Sequence, residues 1–410
     1  MHIGIVSPLA TKDIADILGE QTCSPPHGYT GAPLIATLIR TFLQRGHRIS
    51  AITTDTSLPI KYPQGVAFHS GKLTVHYVPQ RQSAFMWRDA TWGRAWDFFA
   101  QERKALIQAI RLYSPDIVHA HWSYEFAWAA IDSGVPHLIT AHDSPSHVLR
   151  QSLSPYRAIR YAMARHVYNR VAHVSAVSPF VRDAIQPWIK NAVQVIGNPL
   201  SINKVDVPSR TVSRDSSAPV ISIVINGWQR LKNPENAFRS FNLLRRRLPG
   251  ASLHAYGKDF GEGGKAEIWC RDQGLLEGCQ FHGHLTFQQL QASIANSDIL
   301  LHSSRLEACP MGILEAMALG IPIVGGERSG GVPWVVGNAG LLTDIENPEA
   351  TADAMYRLLT ESALYARCSE AAISRSRIDF GADAIADLYE SAYARVISKL
   401  ATDTSHLLKS

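Results

Sequence analysis

Glu307 and Glu315 stand eight residues apart in the stretch SSRLEACPMGILEAMALGIPIVGG, residues 303–326. The apolar run DILLH at 298–302 predicts a strand before it, and residues 321–324 predict another after it. Between them the pattern predicts a polar loop carrying Glu307 and a helix starting near Met311, with Glu315 about a turn inside. A helix rises about 1.5 Å per residue, so both carboxylates can reach one small ligand lying across the helix N-terminus. That end presents free N–H groups and a positive dipole, which suit phosphate oxygens. Each carboxylate oxygen accepts hydrogen bonds, which suits vicinal hydroxyls. Phosphate at one end and diols at the other is the chemistry of a nucleotide sugar. Spacing alone is weak support, because two solvated glutamates on a plain strand–loop–helix unit would look the same.

The context is more specific. The pair sits inside Glu307-x2-Pro310-x-Gly312-x2-Glu315-Ala-Met-Ala-x-Gly320-x-Pro322. This run resembles the EX7E signature of glycosyltransferase family 4, retaining sugar-nucleotide enzymes of the GT-B fold. The resemblance implies an α/β protein with two Rossmann-like parallel-sheet domains facing a cleft. It implies that Glu307 is catalytic, holding the donor sugar's hydroxyls or stabilising a cationic ring. Glu315 would hold the ribose hydroxyls, and the backbone of Met311, Gly312 and Ile313 would meet the donor. The family usually has glycine where Pro310 stands. Proline supplies no N–H, so that contact falls to Met311 or Gly312.

Further matches lie elsewhere. The family keeps an arginine and a lysine in the loop after the first strand of its second domain, where they neutralise the diphosphate. In GWQRLKN (227–233) Lys232 matches. The arginine's usual place is taken by Trp228, and Arg230 is the available substitute. Trp334 stands where a glutamate is common. PDIVHA (115–120) leads into His121, and PHLITA (136–141) leads into His142. Two histidines at the ends of parallel strands suit a cleft. The segment at His142-Asp143 resembles the one whose histidine sits beside the donor sugar, which makes His142 a catalytic candidate. His121 and Gly31, the latter in the Gly-rich loop 27–33, are expected to line the cleft.

Strand-like and helix-like stretches alternate along the chain, which predicts parallel sheets with crossover helices. Residues 1–200 are expected to form an acceptor-side domain and 219–380 a nucleotide-sugar domain. The Ser/Pro-rich segment 201–218 is the linker. A helix at 381–400 is expected to pack back on the first domain, with a frayed tail after it. The first turn lacks Gly-x-Gly-x-x-Gly, which disfavours a dehydrogenase. Residues 60–80 suggest a hairpin or irregular strands. The aromatics Phe85, Trp87, Trp92, Trp96, Phe98 and Phe99 are expected to pack in the core beside a helix at 95–113, rather than to serve a cofactor or membrane. Asn233 is expected to cap a helix at 234–248. The arginines of 154–172 share no single face and suggest a solvated helix, with a phosphate- or membrane-facing surface as the alternative.

The chain has 410 residues, too many for one ordinary domain. It is 46% hydrophobic and 18% charged, a soluble globular composition without an apolar run of membrane-spanning length. The start, MHIGIVSPLA, lacks the features of a signal peptide and reads as a strand. Five scattered cysteines without a Cys-x-x-Cys pair suggest reduced thiols, a cytoplasmic setting and no zinc site. Residues 1–200 hold 19 Lys/Arg against 12 Asp/Glu, and the remainder 21 against 23. The mildly basic first half suits peripheral contact with the inner face of a membrane or a phosphorylated acceptor, and equally an ordinary solvated surface. Modest net charge and the lack of any known motif disfavour nucleic acid. No Asp-x-Asp occurs, so a metal-bridged diphosphate is not indicated and no cofactor is expected.

The function this predicts is retaining transfer of a sugar from a UDP- or GDP-sugar to a glycan or lipid-linked acceptor, in cell-surface polysaccharide or lipopolysaccharide synthesis. A GT-B-fold sugar-nucleotide epimerase and a catalytically degenerate nucleotide-sugar-binding protein are the alternatives. Turnover of a nucleotide sugar without an acceptor would mark the first of these.

Overall fold

The computed structural model describes residues 1–21, 23–29, 31–88, 91–201 and 218–407. The chain divides into two units, Met1–Pro199 with Ala382–Ser410, and Leu200–Gly381. Of the expected linker, residues 202–217 lie outside the described residues, as does Thr30 of the Gly-rich loop.

Among the described residues the first unit is built on eight strands: β1 (His2–Val6), β2 (Arg48–Asp55), β3 (Val66–Ser70), β4 (Leu73–Pro79), β5 (Ile117–His121), β6 (His137–Ala141), β7 (Val174–Ala176) and β8 (Gln194–Val195). Their order is β3-β4-β2-β1-β5-β6-β7-β8. All pair parallel except β3, which turns at Gly71 to run antiparallel to β4. The central strand sets the register, with Ile3 opposite Ile49 on one side and Ile117 on the other. Helices cover both faces, so the inner strands are apolar at nearly every position rather than alternating. Ile3, Ile5, Ile49, Ile117 and Ile139 are wholly buried. Gly4 is needed at the centre, because a Cβ there would lie 2.8 Å from Pro115 Cγ.

The second unit holds β9 (Val220–Val224), β10 (Ser252–Tyr256), β11 (Cys279–Gly283), β12 (Ile299–His302), β13 (Ile323–Gly326) and β14 (Gly340–Thr343), in the order β11-β10-β9-β12-β13-β14. Every pairing is parallel. Helices Pro234–Arg247, Lys265–Asp272, Phe287–Ile294 and Met311–Ala318 are among its crossovers, and Pro348–Thr360 follows the last strand.

The last helix, Ala382–Leu407, belongs to the first unit. It runs past residue 400, where a frayed tail was expected. Ile385, Ala386, Tyr389, Ala392, Tyr393 and Val396 join that unit's core, beside Phe42 and Leu138. The Tyr393 hydroxyl bonds His119 Nδ1 at 2.7 Å, and His119 Nε2 continues to Thr140 Oγ1 at 2.7 Å. A buried polar chain thus ties the helix to the middle of the sheet.

Four local expectations are corrected. The helix expected at 95–113 begins only at Ala100, because Phe98 and Phe99 have φ of 54° and 62° and turn the chain out of helical geometry. Of the aromatics before it, Phe99 is buried. Trp87, Trp92 and Trp96 remain 57%, 59% and 62% exposed, so they are not core. Asn233 does not cap the following helix with its side chain. It sits at φ 51° and donates its side-chain amide to the Ile345 carbonyl at 3.0 Å instead. The helix Pro155–Arg170 is less solvated than its charge suggests. Arg160 is ion-paired with the buried Glu125 and lies over the Tyr124 ring, and Arg170 pairs with Asp132.

Candidate functional site

In the second unit the site is assembled by neighbouring strands. β9 and β12 pair, with Leu300 opposite Ser222, so the loops that follow them leave the sheet side by side. Their backbones are stitched together. The Arg305 amide donates to the Leu231 carbonyl at 2.8 Å, and the Ser303 hydroxyl donates to the Lys232 carbonyl at 2.8 Å. The Arg305 guanidinium reaches the Arg230 carbonyl while pairing with Glu346 at 2.6 and 2.8 Å. Glu307 is fixed from the other side. Its amide donates to the Ser329 carbonyl at 3.3 Å, and its carbonyl accepts from the Gly331 amide at 2.8 Å.

This stitching brings Lys232 and Glu307, 75 residues apart in sequence, into one ion pair with Nζ and Oε1 at 2.5 Å. Both are partly buried, at 27% and 19% side-chain exposure, so the pair is neither a free surface bridge nor sealed from a ligand. His302, the last residue of β12, places Nε2 3.8 Å from the same carboxylate oxygen. That nitrogen is buried and has no hydrogen-bond partner among the described residues. Burial pushes His302 down to about 4, so it is neutral near pH 7. Burial alone would raise Glu307. The charges of His302 and Lys232, with hydrogen bonds from Lys232 and Ser304, outweigh it and hold the carboxyl below its ordinary range. Because His302 is uncharged at neutral pH, Lys232 is the cation that keeps Glu307 ionised there.

Glu315 has the opposite environment. It lies in the fifth position of the helix Met311–Ala318, and burial without a compensating charge raises its carboxyl to about 7. Pro310 occupies the position before the helix, so Met311, Gly312 and Ile313 carry its first amides. A Cβ built on Gly312 would meet nothing within 4 Å, so the helix start is open beside it.

Arg230 sits with Lys232 in a single helical turn, Arg230–Lys232. Its side chain is exposed, and it is its carbonyl that accepts from the Arg305 guanidinium. Trp228, in the family's arginine position, turns into the core beside Phe260 and Trp269, with ring centroids 5.9 and 5.4 Å away. Its amide donates to Asp259 at 3.0 Å. Trp334 likewise packs edge-on against Phe380 at 5.2 Å. Both departures from the family pattern are packing residues in this chain.

The first unit gathers its own histidines. His121 is the last residue of β5 rather than a loop residue, and is wholly buried. Its Nδ1 bonds His142 Nε2 at 2.9 Å. His142 is 9% exposed and stacked against Trp122 at 4.2 Å. Burial pushes His142 down to about 3, and burial with the neighbouring imidazoles pushes His121 well below its usual value. Both are neutral at physiological pH, so each ring has one N–H donor and one acceptor nitrogen, and one of the two rings donates the bond between them. Next to them the Tyr124 hydroxyl shares its one hydrogen between the two carboxylate oxygens of Asp143, each 3.0 Å away. Gly31 is exposed at φ 108°, just before the helix Pro33–Gln44, with open space where a side chain would be.

Sequence reasoning missed His302, Arg305 and Ser303. All three lie in HSSR, directly before the motif, where they resemble ordinary strand-end and loop residues. The signal available was their place at the carboxyl end of a strand in an open α/β sheet, where ligands bind. Among the described residues no group of three or more His, Cys, Asp or Glu is arranged to hold a metal ion, and no helix is long and apolar enough to cross a membrane.

Residues 32–204 match the family Glycosyltransferase Family 4, and residues 210–375 match Glycosyl transferases group 1. The chain is 24% identical over 394 residues to the N-acetyl-alpha-D-glucosaminyl L-malate synthase of Bacillus anthracis, covering 92% of this chain and 96% of that protein. Among solved structures it resembles the sucrose-phosphate synthase of Thermosynechococcus elongatus, with TM-score 0.72 at 17% identity over 97% of this chain and 100% of that one. It also resembles Anabaena HepE in complex with UDP, with TM-score 0.65 at 17% identity over 96% and 100%. HepE has been solved with UDP-glucose as well. These likenesses show the GT-B fold.

Proposed function

The chain belongs to the group 1 glycosyltransferases of family 4, and from that premise we propose that it transfers a sugar from a nucleotide-diphosphate donor to a glycan or lipid-linked acceptor with retention. The setting we propose is cell-surface polysaccharide or lipopolysaccharide synthesis, in the cytoplasm or at the inner face of the membrane through the basic first unit. UDP is the favoured nucleotide, because a structural neighbour binds UDP and UDP-glucose.

The observation that carries this reading is the Lys232–Glu307 pair. A diphosphate carries more negative charge than one carboxylate and competes for the lysine. When it binds, Lys232 turns to the phosphates together with Arg230 and the amides of Met311, Gly312 and Ile313. Glu307 is thereby released toward the donor sugar. Glu315 accepts the ribose hydroxyls. The acceptor hydroxyl then attacks the anomeric carbon from the face the phosphate leaves. The bond from that carbon to the phosphate oxygen breaks, and the hydroxyl proton passes to the departing phosphate. Lys232 and Arg230 stabilise the charge that develops there. His142, neutral and nearly buried, serves as a hydrogen-bonding group toward the sugar, backed by His121, with Gly31 in the loop near the acceptor.

The test is a thermal-shift panel of UDP, GDP, ADP and their sugar conjugates with EDTA present. A ligand at 100 times its Kd adds about 2.7 kcal/mol. A clear shift with UDP is expected, and no shift with any nucleotide would sink the reading. With a competent donor, Glu307→Gln is expected to lower turnover by about 10² or more. UDP affinity should hold or rise, since Lys232 loses its competing partner. Near-normal turnover would remove Glu307 from the chemistry.

A further inference from the structure

The loop that follows β4 leaves three tryptophans exposed where core residues were expected. It is not a loose apolar segment. Arg81, itself 4% exposed, bonds the buried Glu102 at 2.6 and 2.9 Å and Asp97 at 2.8 and 2.9 Å. Trp96 Nε1 donates to the Phe85 carbonyl at 2.8 Å. Gly93 lets the two arms of the loop touch, since a Cβ there would lie 2.3 Å from the Phe85 nitrogen. Trp87 packs edge-on against Trp92 at 5.3 Å. The indoles are therefore held in place by the fold while more than half exposed.

Two cavities flank this platform and share Arg81, Thr91, Trp92 and Gly93. One, of about 350 Å³, reaches the ends of β2 and β4 and is lined by Ser57, Lys61, Gln80 and Gln82. The other, of about 650 Å³, lies among Trp87, Trp92 and Trp96, with Asp97 and Gln101. Both fall within the roughly 300–1,000 Å³ of small-molecule sites. Flat indole faces beside planar amides, hydroxyls and a carboxylate match a pyranose, which offers an apolar ring face and a rim of hydroxyls. A bilayer surface fits less well, because the tryptophans line two concave cavities rather than a flat or projecting apolar face.

We propose that this loop is a glycan-binding subsite that takes two or more pyranose rings of an oligosaccharide acceptor on the two sides of Trp92. The proposal rests on the glycosyltransferase reading above and adds the acceptor's class. The site lies at the carboxyl edge of the same sheet as His142. β4 and β6 are separated by four inter-strand steps, roughly 19 Å at about 4.8 Å each. The subsite therefore holds an acceptor at a distance from its reacting end, and monosaccharides cannot span it. Binding energy from such a remote, preordered contact raises affinity at little ordering cost.

The test uses the purified full chain on an array of immobilised linear oligosaccharides, one to six residues long, of glucose, galactose, mannose and N-acetylglucosamine. Retention is expected on di- and longer saccharides, and should fall at least about tenfold in Trp92→Ala and less in Trp92→Phe, which keeps a ring. A wild-type melting temperature and a normal UDP-induced shift in both variants show that the fold is intact. Absence of length-dependent retention by the wild type, or retention unchanged in Trp92→Ala, overturns the subsite. Tryptophan-dependent sedimentation with 7:3 phosphatidylcholine–phosphatidylglycerol vesicles, with no glycan retention, would also overturn it in favour of a membrane surface. A wild-type protein that shows no shift with any nucleotide of the panel would instead defeat the glycosyltransferase reading, whatever the array shows.

Discussion

Glu307 and Glu315 share a motif and a degree of burial, yet their carboxyls are pushed in opposite directions. Glu307 faces Lys232 and stays ionised, whereas Glu315 has no facing charge and titrates near 7. A carboxyl raised in the folded state contributes stability that is complete below its unfolded value and is lost as pH rises through the folded one. Glu315 should therefore make the protein less stable between about pH 4.5 and about 7. Glu315→Gln is neutral throughout, so its melting temperature relative to wild type should rise from pH 5 to pH 8. A constant difference would show that Glu315 does not titrate in that window. Ribose hydroxyls donate to the ionised form and favour it. UDP-glucose should then bind about tenfold tighter at pH 8 than at pH 6 in the wild type, and this dependence should vanish in Glu315→Gln. The two glutamates and Lys232 were legible in the sequence because a dense motif and a loop signature surround them. Their pairing was not, because it depends on β9 and β12 being neighbours. His302 was hidden for a related reason: only its burial, 3.8 Å from a carboxylate, distinguishes it from any strand-end histidine.

Among elements, the last helix shows which contacts carry weight. Arg45 reaches Asp383, Asp387 and Glu390 on it, but two of those partners are mostly exposed. Exposed pairs are worth at most about 1 kcal/mol. The Tyr393–His119 bond is wholly buried, and removing its hydroxyl leaves an imidazole nitrogen without a partner. That costs about 1–3 kcal/mol, and a unit of this size moves roughly 2–4 °C per kcal/mol. Tyr393→Phe should therefore lower the melting temperature of the first unit clearly more than Arg45→Ala does. The reverse order in calorimetry would place the helix's anchorage at the surface. The strands themselves were legible, since sheets buried on both faces write continuous apolar runs. Their order was not, because β2 and β4 on one side of β1 and β5 on the other look alike in sequence. The stretch 84–100 misled for a different reason. Aromatic density usually means core, and only the positive φ angles at Phe98 and Phe99 and the Arg81–Glu102 pair turn these rings outward.

At the scale of the molecule, the first unit is discontinuous: its sheet comes from the start of the chain and one covering helix from the end. Ile385, Tyr389, Tyr393 and Val396 are almost wholly buried in it. Burying a large apolar side chain is worth about 1.5–3 kcal/mol, so four of them approach the roughly 5–15 kcal/mol that holds a whole domain folded. Truncation after Gly381 removes them together and strands the His119–Thr140 chain without its tyrosines. The second unit, Leu200–Gly381, is continuous in sequence and has its own core around Phe238, Phe241 and Phe260. A chain ending at Gly381 should therefore lose the first unit's cooperative melting transition and expose apolar surface to a dye such as ANS. It should keep the second unit's transition and its UDP-induced shift, because Lys232, Glu307 and Glu315 all lie within that unit. A truncated chain that melts like the full one would show that the sheet does not depend on the helix. Loss of both transitions would show that the two units do not fold independently.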